Sequence, residues 1–277
     1  MQTGIFTAIT DEQMHPAELG RQIESLGFES LFVPEHTHIP TRFATPTPDG
    51  NPLPRDYYRN LDPFISLTAA AVATTRLRLG TAVALVVQRD PIHLAKELAS
   101  LDLVSGGRVE LGAGAGWLRE EMLNHGTDPG RRVTLLMERL AAVKTIWTQE
   151  DAEFHGRFVD FDQLRMWPKP VQSPHPPIWV AGWGPSTFAR VVASENGWMA
   201  PVGLPLDELE RGMKELATVA ARSEAAVPPV LATFHGPSQH DLERARELGV
   251  HRVLLALWPV QGRSETLRAL DRYALLL

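Results

Sequence analysis

Four short stretches of this chain carry residue types that can do chemistry. The first is Glu35-His36-Thr37-His38, which directly follows an apolar run at 30–33. An imidazole exchanges protons near neutral pH, so His36 at a strand end is a candidate general acid, and His38 a candidate substrate contact. A loop histidine bonded to backbone would read the same way. A His-x-His pair is also how a zinc site of a barrel hydrolase begins. The other strand ends offer one further imidazole, His235, which is too few for a ligand set, so no metal is expected and a metal-dependent barrel hydrolase is kept as an alternative.

The second stretch is Gly112-Ala113-Gly114-Ala115-Gly116-Trp117. Glycines this close together let backbone approach a planar or anionic ligand, although the spacing is a poor dinucleotide fingerprint and a tight turn would look alike. The third is Gly182-Trp183-Gly184-Pro185-Ser186, a small-residue turn entering a helix through proline. Unpaired N–H groups and the Ser186 hydroxyl at a positive helix end would seat a phosphate; Ser186 could equally serve as an N-cap. The fourth is Gly80-Thr81-Ala82-Val83-Ala84, with small residues where a central strand is usually bulky. A flat ring could lie there, and so could ordinary barrel packing. No Gly-x-Ser-x-Gly nucleophile elbow is present.

These stretches need a scaffold that brings them together. Short β-branched runs alternate with amphipathic segments along the whole chain, the pattern of parallel βα units. Strands are predicted at 3–9, 30–33, 77–87, 108–113, 177–181, 197–200, 230–234 and 251–257. Helices fall at 15–26, 63–74, 90–103, 131–147, 187–195, 207–223, 239–248 and 264–275. Eight such units close a (β/α)8 TIM barrel, an α/β fold that needs roughly 250 residues, so the 277 residues present are read as one domain over 1–277. Two intervals are long: 34–62 after the second strand, and 148–176 after the fourth strand and its helix. The latter reads as a hairpin followed by a proline-rich run. Both insertions are expected to reach the C-terminal mouth, where sites of this fold are built.

Composition narrows the classes. With no cysteine, disulfides and thiolate chemistry are excluded. A net charge of −6 opposes nonspecific nucleic-acid binding. No apolar stretch approaches the ~18 residues of a membrane span, and Met1–Met14 lacks the regions of a secretory signal, so a cytoplasmic location is expected.

Taken together the stretches resemble the luciferase-like monooxygenase family, the flavin and deazaflavin oxidoreductases, over most of residues 4–201. The resemblance is carried by LFVPEHTHIP, by RLRLGTAVALVVQRDPIHLAKELASLDLVSGGRVELGAGAGW, by WPKPVQSPHPPIWVAGWGPS and by ENGWM. It implies a non-prolyl cis peptide at Ala82-Val83, pressed on the middle ring of a cofactor. It also implies a catalytic pair at Glu35 and His36, with His36 donating a proton. Gly114, Gly116 and Trp117 would line the cofactor ring, and Gly182, Trp183, Gly184 and Ser186 would hold its phosphate. His38 and His235 are expected to face substrate. Trp117 stands where some deazaflavin relatives carry a catalytic glutamate; Glu120 and Glu121 lie a turn further on, out of line with that position, so sugar-phosphate oxidation is not expected. The Gly-Trp loop with Arg119-Glu120-Glu121 resembles the branch dependent on coenzyme F420. Hydride transfer between F420 and a small organic molecule is therefore the expected activity, and an FMN-dependent monooxygenase the alternative. Arg42, Arg55 and Arg59 are available for an anionic cofactor tail or for a solvated face. The resemblance further implies a homodimer.

Overall fold

The structure is a computed structural model that describes residues 1–48, 50–257 and 262–277. Its strands are β1 (Gln2–Phe6), β2 (Ser30–Val33), β3 (Arg78–Thr81, resumed at Ala84–Leu85), β4 (Val109–Gly114), β5 (Ile178–Ala181), β6 (Gly197–Met199), β7 (Val230–Phe234) and β8 (Arg252–Ala256). Each pairs in parallel with its sequence neighbour, except that the short piece of β3 bonds β4 alone. β8 returns to β1 with Gln2 opposite Arg252 and Phe6 opposite Ala256, which closes the barrel. Helices α1 (Pro16–Ser25), α2 (Pro63–Ala73), α3 (Pro91–Ser105), α4 (Arg119–Asn124), α5 (Arg132–Thr148), α6 (Pro185–Ala193), α7 (Leu206–Arg222), α8 (Gln239–Glu247) and α9 (Gly262–Ala274) surround it. Their starts are written in sequence: Asp62 and Asp90, each followed by proline, cap α2 and α3 by accepting the second and third N–H groups.

Between helices and barrel lies an apolar layer that includes Ile23, Leu67, Leu98, Val143 and Phe188. Inside the barrel, large side chains fill the space that glycines leave. A Cβ on Gly80 would stand 2.2 Å from the Phe32 ring, and one on Gly197 2.3 Å from the Trp179 indole, so each aromatic requires its glycine. Below these rings, at the N-terminal end, Glu110 is buried and binds Arg252 at 2.5 Å, Arg78, and the Trp179 indole N–H at 2.7 Å. The Arg252 guanidinium lies over the Phe32 ring and also donates to Gln2 and Glu29. A charged layer thus stoppers the bottom of the barrel.

The structure departs from the expected elements in four places. The first strand ends at Phe6 because residues 9 and 10 pair instead with the end of the long loop, through Leu61 N–H to Ile9 O and a bridge between Thr10 and Asn60. The third strand is broken: Ala82-Val83 is cis, the Leu85 N–H goes to the Glu35 carboxylate at 2.6 Å, and Val86–Gln88 is a 3-10 turn. Helix α4 was not expected. The insertion at 148–176 does contain a hairpin, Ala152–His155 with Asp160–Leu164, but it does not reach the mouth. It follows α5, so it starts from the opposite end; Glu138 in mid-α5 holds the hairpin, and the last turn of α3 holds Val171 and Gln172 through Asp102.

Burial raises the pKa of Glu110, but the two guanidinium groups outweigh it and hold the carboxyl below its ordinary 4.5. Its contribution is therefore complete above that value and lost as pH falls through the depressed one. Glu110→Gln, which leaves buried Arg252 with only Glu29 as counter-charge and takes the nearest carboxylate from half-buried Arg78, should lower unfolding free energy by about 3 kcal/mol in urea titrations. Pairing it with Arg252→Met should recover part of that loss.

Candidate active site

A cavity of about 990 Å³ opens at the C-terminal mouth. Its walls come from the ends of β2 to β5, from the loop after β2, from Val133 and Leu136 of α5, and from His235 after β7. Of the expected site residues, Glu35, His36, Ala82, Val83, Gly114, Gly116, Trp117, Gly182 and His235 meet there.

His36 projects from the end of β2 and is 8% exposed. Its Nδ1 lies 2.8 Å from Oε2 of Glu121, itself 1% exposed, and a carboxylate can only accept, so Nδ1 carries the proton and Nε2 is left for the cavity. Burial raises the pKa of Glu121, but the hydrogen bond and charge of His36 and the N–H and hydroxyl of Thr37 outweigh it and leave it lowered. Tyr57 and Trp117 stand against the imidazole at 5.1 and 5.9 Å between ring centres. The orienting carboxylate therefore comes from α4, the helix whose acids seemed out of line in the sequence.

Glu35 does other work. Its carboxylate accepts from the Leu85 N–H and from Arg89 Nε at 2.8 Å and Nη2 at 2.5 Å, while Arg89 also binds Asp62 and Glu97 and lies over Phe64. This carboxylate fastens the end of β2 to the broken end of β3 and to the start of α2. His38 is outside the cavity: its ring bonds Thr37 and Asn124 and lies tilted against His125 at 5.4 Å. Among the described residues no group of three His, Asp or Glu is placed to hold a metal ion.

The cavity floor suits a planar ligand. Val83 and Gly114 face each other so closely that a Cβ on Gly114 would meet Val83 Cγ2 at 2.4 Å, and Gly116 and Gly182 hold backbone angles (φ +75° and +141°) that other residues rarely adopt. The start of α6 suits an anion: Gly184 caps it without a side-chain bond, and Arg190 lines the cavity beside it, donating to Thr187 Oγ1 at 3.2 Å. Arg190 and Thr187 were not anticipated. Trp183, Gly184 and Ser186, by contrast, do not line the cavity. Trp183 packs on Trp198 and Phe188 and under Arg211, and Ser186 is exposed in the first turn of α6. On the long loop, Arg55 and Arg59 pair with Glu12 and Asp11, and Arg42 lies outside the cavity wall.

The luciferase-like monooxygenase family profile matches residues 2–274. An uncharacterized protein of Mycobacterium tuberculosis is 41% identical, spanning 99% of this chain and 98% of its own length. Monooxygenase RslO1 from Streptomyces bottropensis is similar in structure, with a TM-score of 0.82 at 20% identity over 100% of this chain and 98% of that one. An F420-dependent secondary alcohol dehydrogenase, in complex with an F420-acetone adduct, has a TM-score of 0.79 at 16% identity over the same shares. At such identities these two structures speak for the fold alone.

Glu120, next to Glu121, ties down the long loop by accepting from Ala44 N–H at 2.8 Å and from the Thr45 N–H and hydroxyl. The Thr45 hydroxyl and the backbone N–H groups hold its pKa at about 2. Glu120→Gln should speed amide hydrogen exchange at Ala44 and Thr45 by about tenfold, while exchange at Thr37, held by Glu121, stays within about twofold; mass spectrometry of loop peptides reads both.

Proposed function

Since the chain belongs to the luciferase-like monooxygenase family, we propose that it transfers a hydride between coenzyme F420 and a small organic molecule at the barrel mouth. The observation that carries this reading is the buried His36–Glu121 pair, with one imidazole nitrogen fixed and the other available to the cavity. Reduction of a polar double bond needs a hydride and a proton. The deazaflavin would supply the hydride when bound, and His36 Nε2 would hold the proton.

The rest of the chain would position these two. Ala82, Val83, Gly114 and Gly116 back the ring, while Gly182, Thr187, Arg190 and the start of α6 take the phosphate. Trp117 and Tyr57 keep water from the imidazole. Glu35 acts as a positioning residue, through Leu85 and Arg89. FMN-dependent monooxygenation is the second reading. It is favoured by the ion pairs of Arg55 and Arg59, which occupy the cations an extended anionic tail would seek.

A homodimer would also cover an apolar stripe on α2, where Ile65 is 70% and Val72 71% exposed, next to Leu103 and Val104 at the end of α3. Val72→Glu should then halve the mass measured by light scattering.

Titration of the purified protein with F420 and with FMN, followed by cofactor fluorescence, tests the main reading. F420 is expected to bind in the micromolar range and FMN not; the reverse result hands the site to the second reading. His36→Ala should leave cofactor affinity within about twofold and slow reduction of an accepted ketone or enone by about 100-fold. Unchanged turnover would remove its role.

A further inference from the structure

The mouth cavity has two unlike sides. On one, after β5, stand Arg190 and the start of α6. On the other, β1 contributes Phe6, β2 is followed by Pro34, and the long loop adds Pro48, Leu53, Pro54 and Tyr57. In a closed ring of eight strands β1 stands opposite β5, so the cationic and apolar sides face each other across the opening. His36 belongs to the apolar side, since it leaves β2 two residues after Pro34.

The apolar side also lacks a free charge. Among the described residues the carboxylates and guanidinium groups of the wall are those of Glu35 and Arg190, and Glu35 is bound to Arg89. The arginines of the loop are turned elsewhere: Arg55 pairs with Glu12, Arg59 pairs with Asp11 and Glu12, and Arg42 is outside the wall. His235 is exposed at the end of β7, three strands round the ring from β2. A carboxylate set among Pro48, Leu53 and Pro54 would lose water and meet no cation, whereas a hydrocarbon chain there gains by leaving water. Half-buried Leu53 lies between Pro52 and Pro54. The two rings restrict the backbone on both sides of it, which sets its place in the wall.

We propose that the loop side of the cavity is the substrate subsite and takes an uncharged, apolar ketone. The ketone oxygen meets His36 Nε2, the hydrocarbon chain lies on Leu53, and Leu53 sets the preference against charged chains. This rests on the reading of His36 as the group that holds the proton.

The test compares 2-octanone with 7-oxooctanoate, which carries a carboxylate in place of the terminal methyl group. Binding is followed by the fluorescence of Trp117, which lines the cavity. The protein is saturated with whichever of F420 or FMN it takes, and a second series omits cofactor. Wild type should bind 2-octanone about tenfold or more tightly than 7-oxooctanoate. Leu53→Arg should raise affinity for 7-oxooctanoate about tenfold, and Leu53→Asp should lower it further. Both variants should keep cofactor affinity within about twofold and melting temperature within about 2 °C, since Leu53 is only half-buried. Equal binding of the two probes by wild type, tighter binding of the keto acid, or binding of neither would overturn the proposal. So would a shift of 7-oxooctanoate affinity in the same direction by both variants, which would mean that the loop had merely opened. If one variant fails to fold, the other and the wild-type comparison still decide. If 2-octanone binds as expected but is not reduced with F420, the hydride-transfer reading fails and the subsite stands.

Discussion

The buried Glu110 carboxylate governs how this barrel is used. Eight strands enclose a space that side chains can just fill, and here the lower part holds Glu110, Arg252 and Arg78, capped by Phe32 and Trp179. An ionised group at that depth is tolerable only with its counter-charges in contact. Meeting that condition locks four strands, β3, β4, β5 and β8, at one end. The other end is then left to open, and it is there that glycines rather than aromatics line the strands.

At the open end the same chemistry recurs with a different purpose. Glu35, Glu120 and Glu121 each accept backbone N–H groups, from Leu85, from Ala44 and Thr45, and from Thr37. Asp102 and Glu138 do the same for the insertion at the closed end. Long loops without regular structure have N–H groups to satisfy, and carboxylates that accept two or three of them fix a loop as firmly as a strand would. Five of the 33 acidic residues serve in this way, on positioning.

Much of this was legible in the sequence. The alternation of β-branched runs and amphipathic segments located all eight barrel strands, and the Asp-Pro pairs located two helix starts. That His36, the β4 glycines and Gly182 come together at the mouth was legible because strand ends and small-residue turns are local signals. What was missed depends on distance along the chain. Glu121 lies 85 residues from His36, and α4 spans only six residues, too short to show a helical period. The only hint was an acid pair just after the Gly-Trp turn. Arg190 carries no periodic signal, and Glu35 was read as catalytic because nothing local shows that Arg89 meets it. The insertion at 148–176 was sent to the wrong end of the barrel, an error that counting strands and helices corrects, since a segment that follows a helix starts at the strands' N-terminal side.

The pinning of the long loop has a consequence for how such a protein can change over generations. Its anchors are Thr37 and Thr45 on one side and Asn60 and Leu61 on the other. Between Thr45 and Asn60 the chain carries cavity residues such as Pro48, Leu53 and Tyr57, while the carboxylate that orients His36 arrives from a separate helix. Side-chain exchange at Pro48 or Leu53 can therefore accumulate with less effect on the imidazole than exchange at Tyr57, which stands against it. The architecture separates a part that can drift from a part that cannot, and lineages built on it can vary the cavity wall while keeping one imidazole–carboxylate pair.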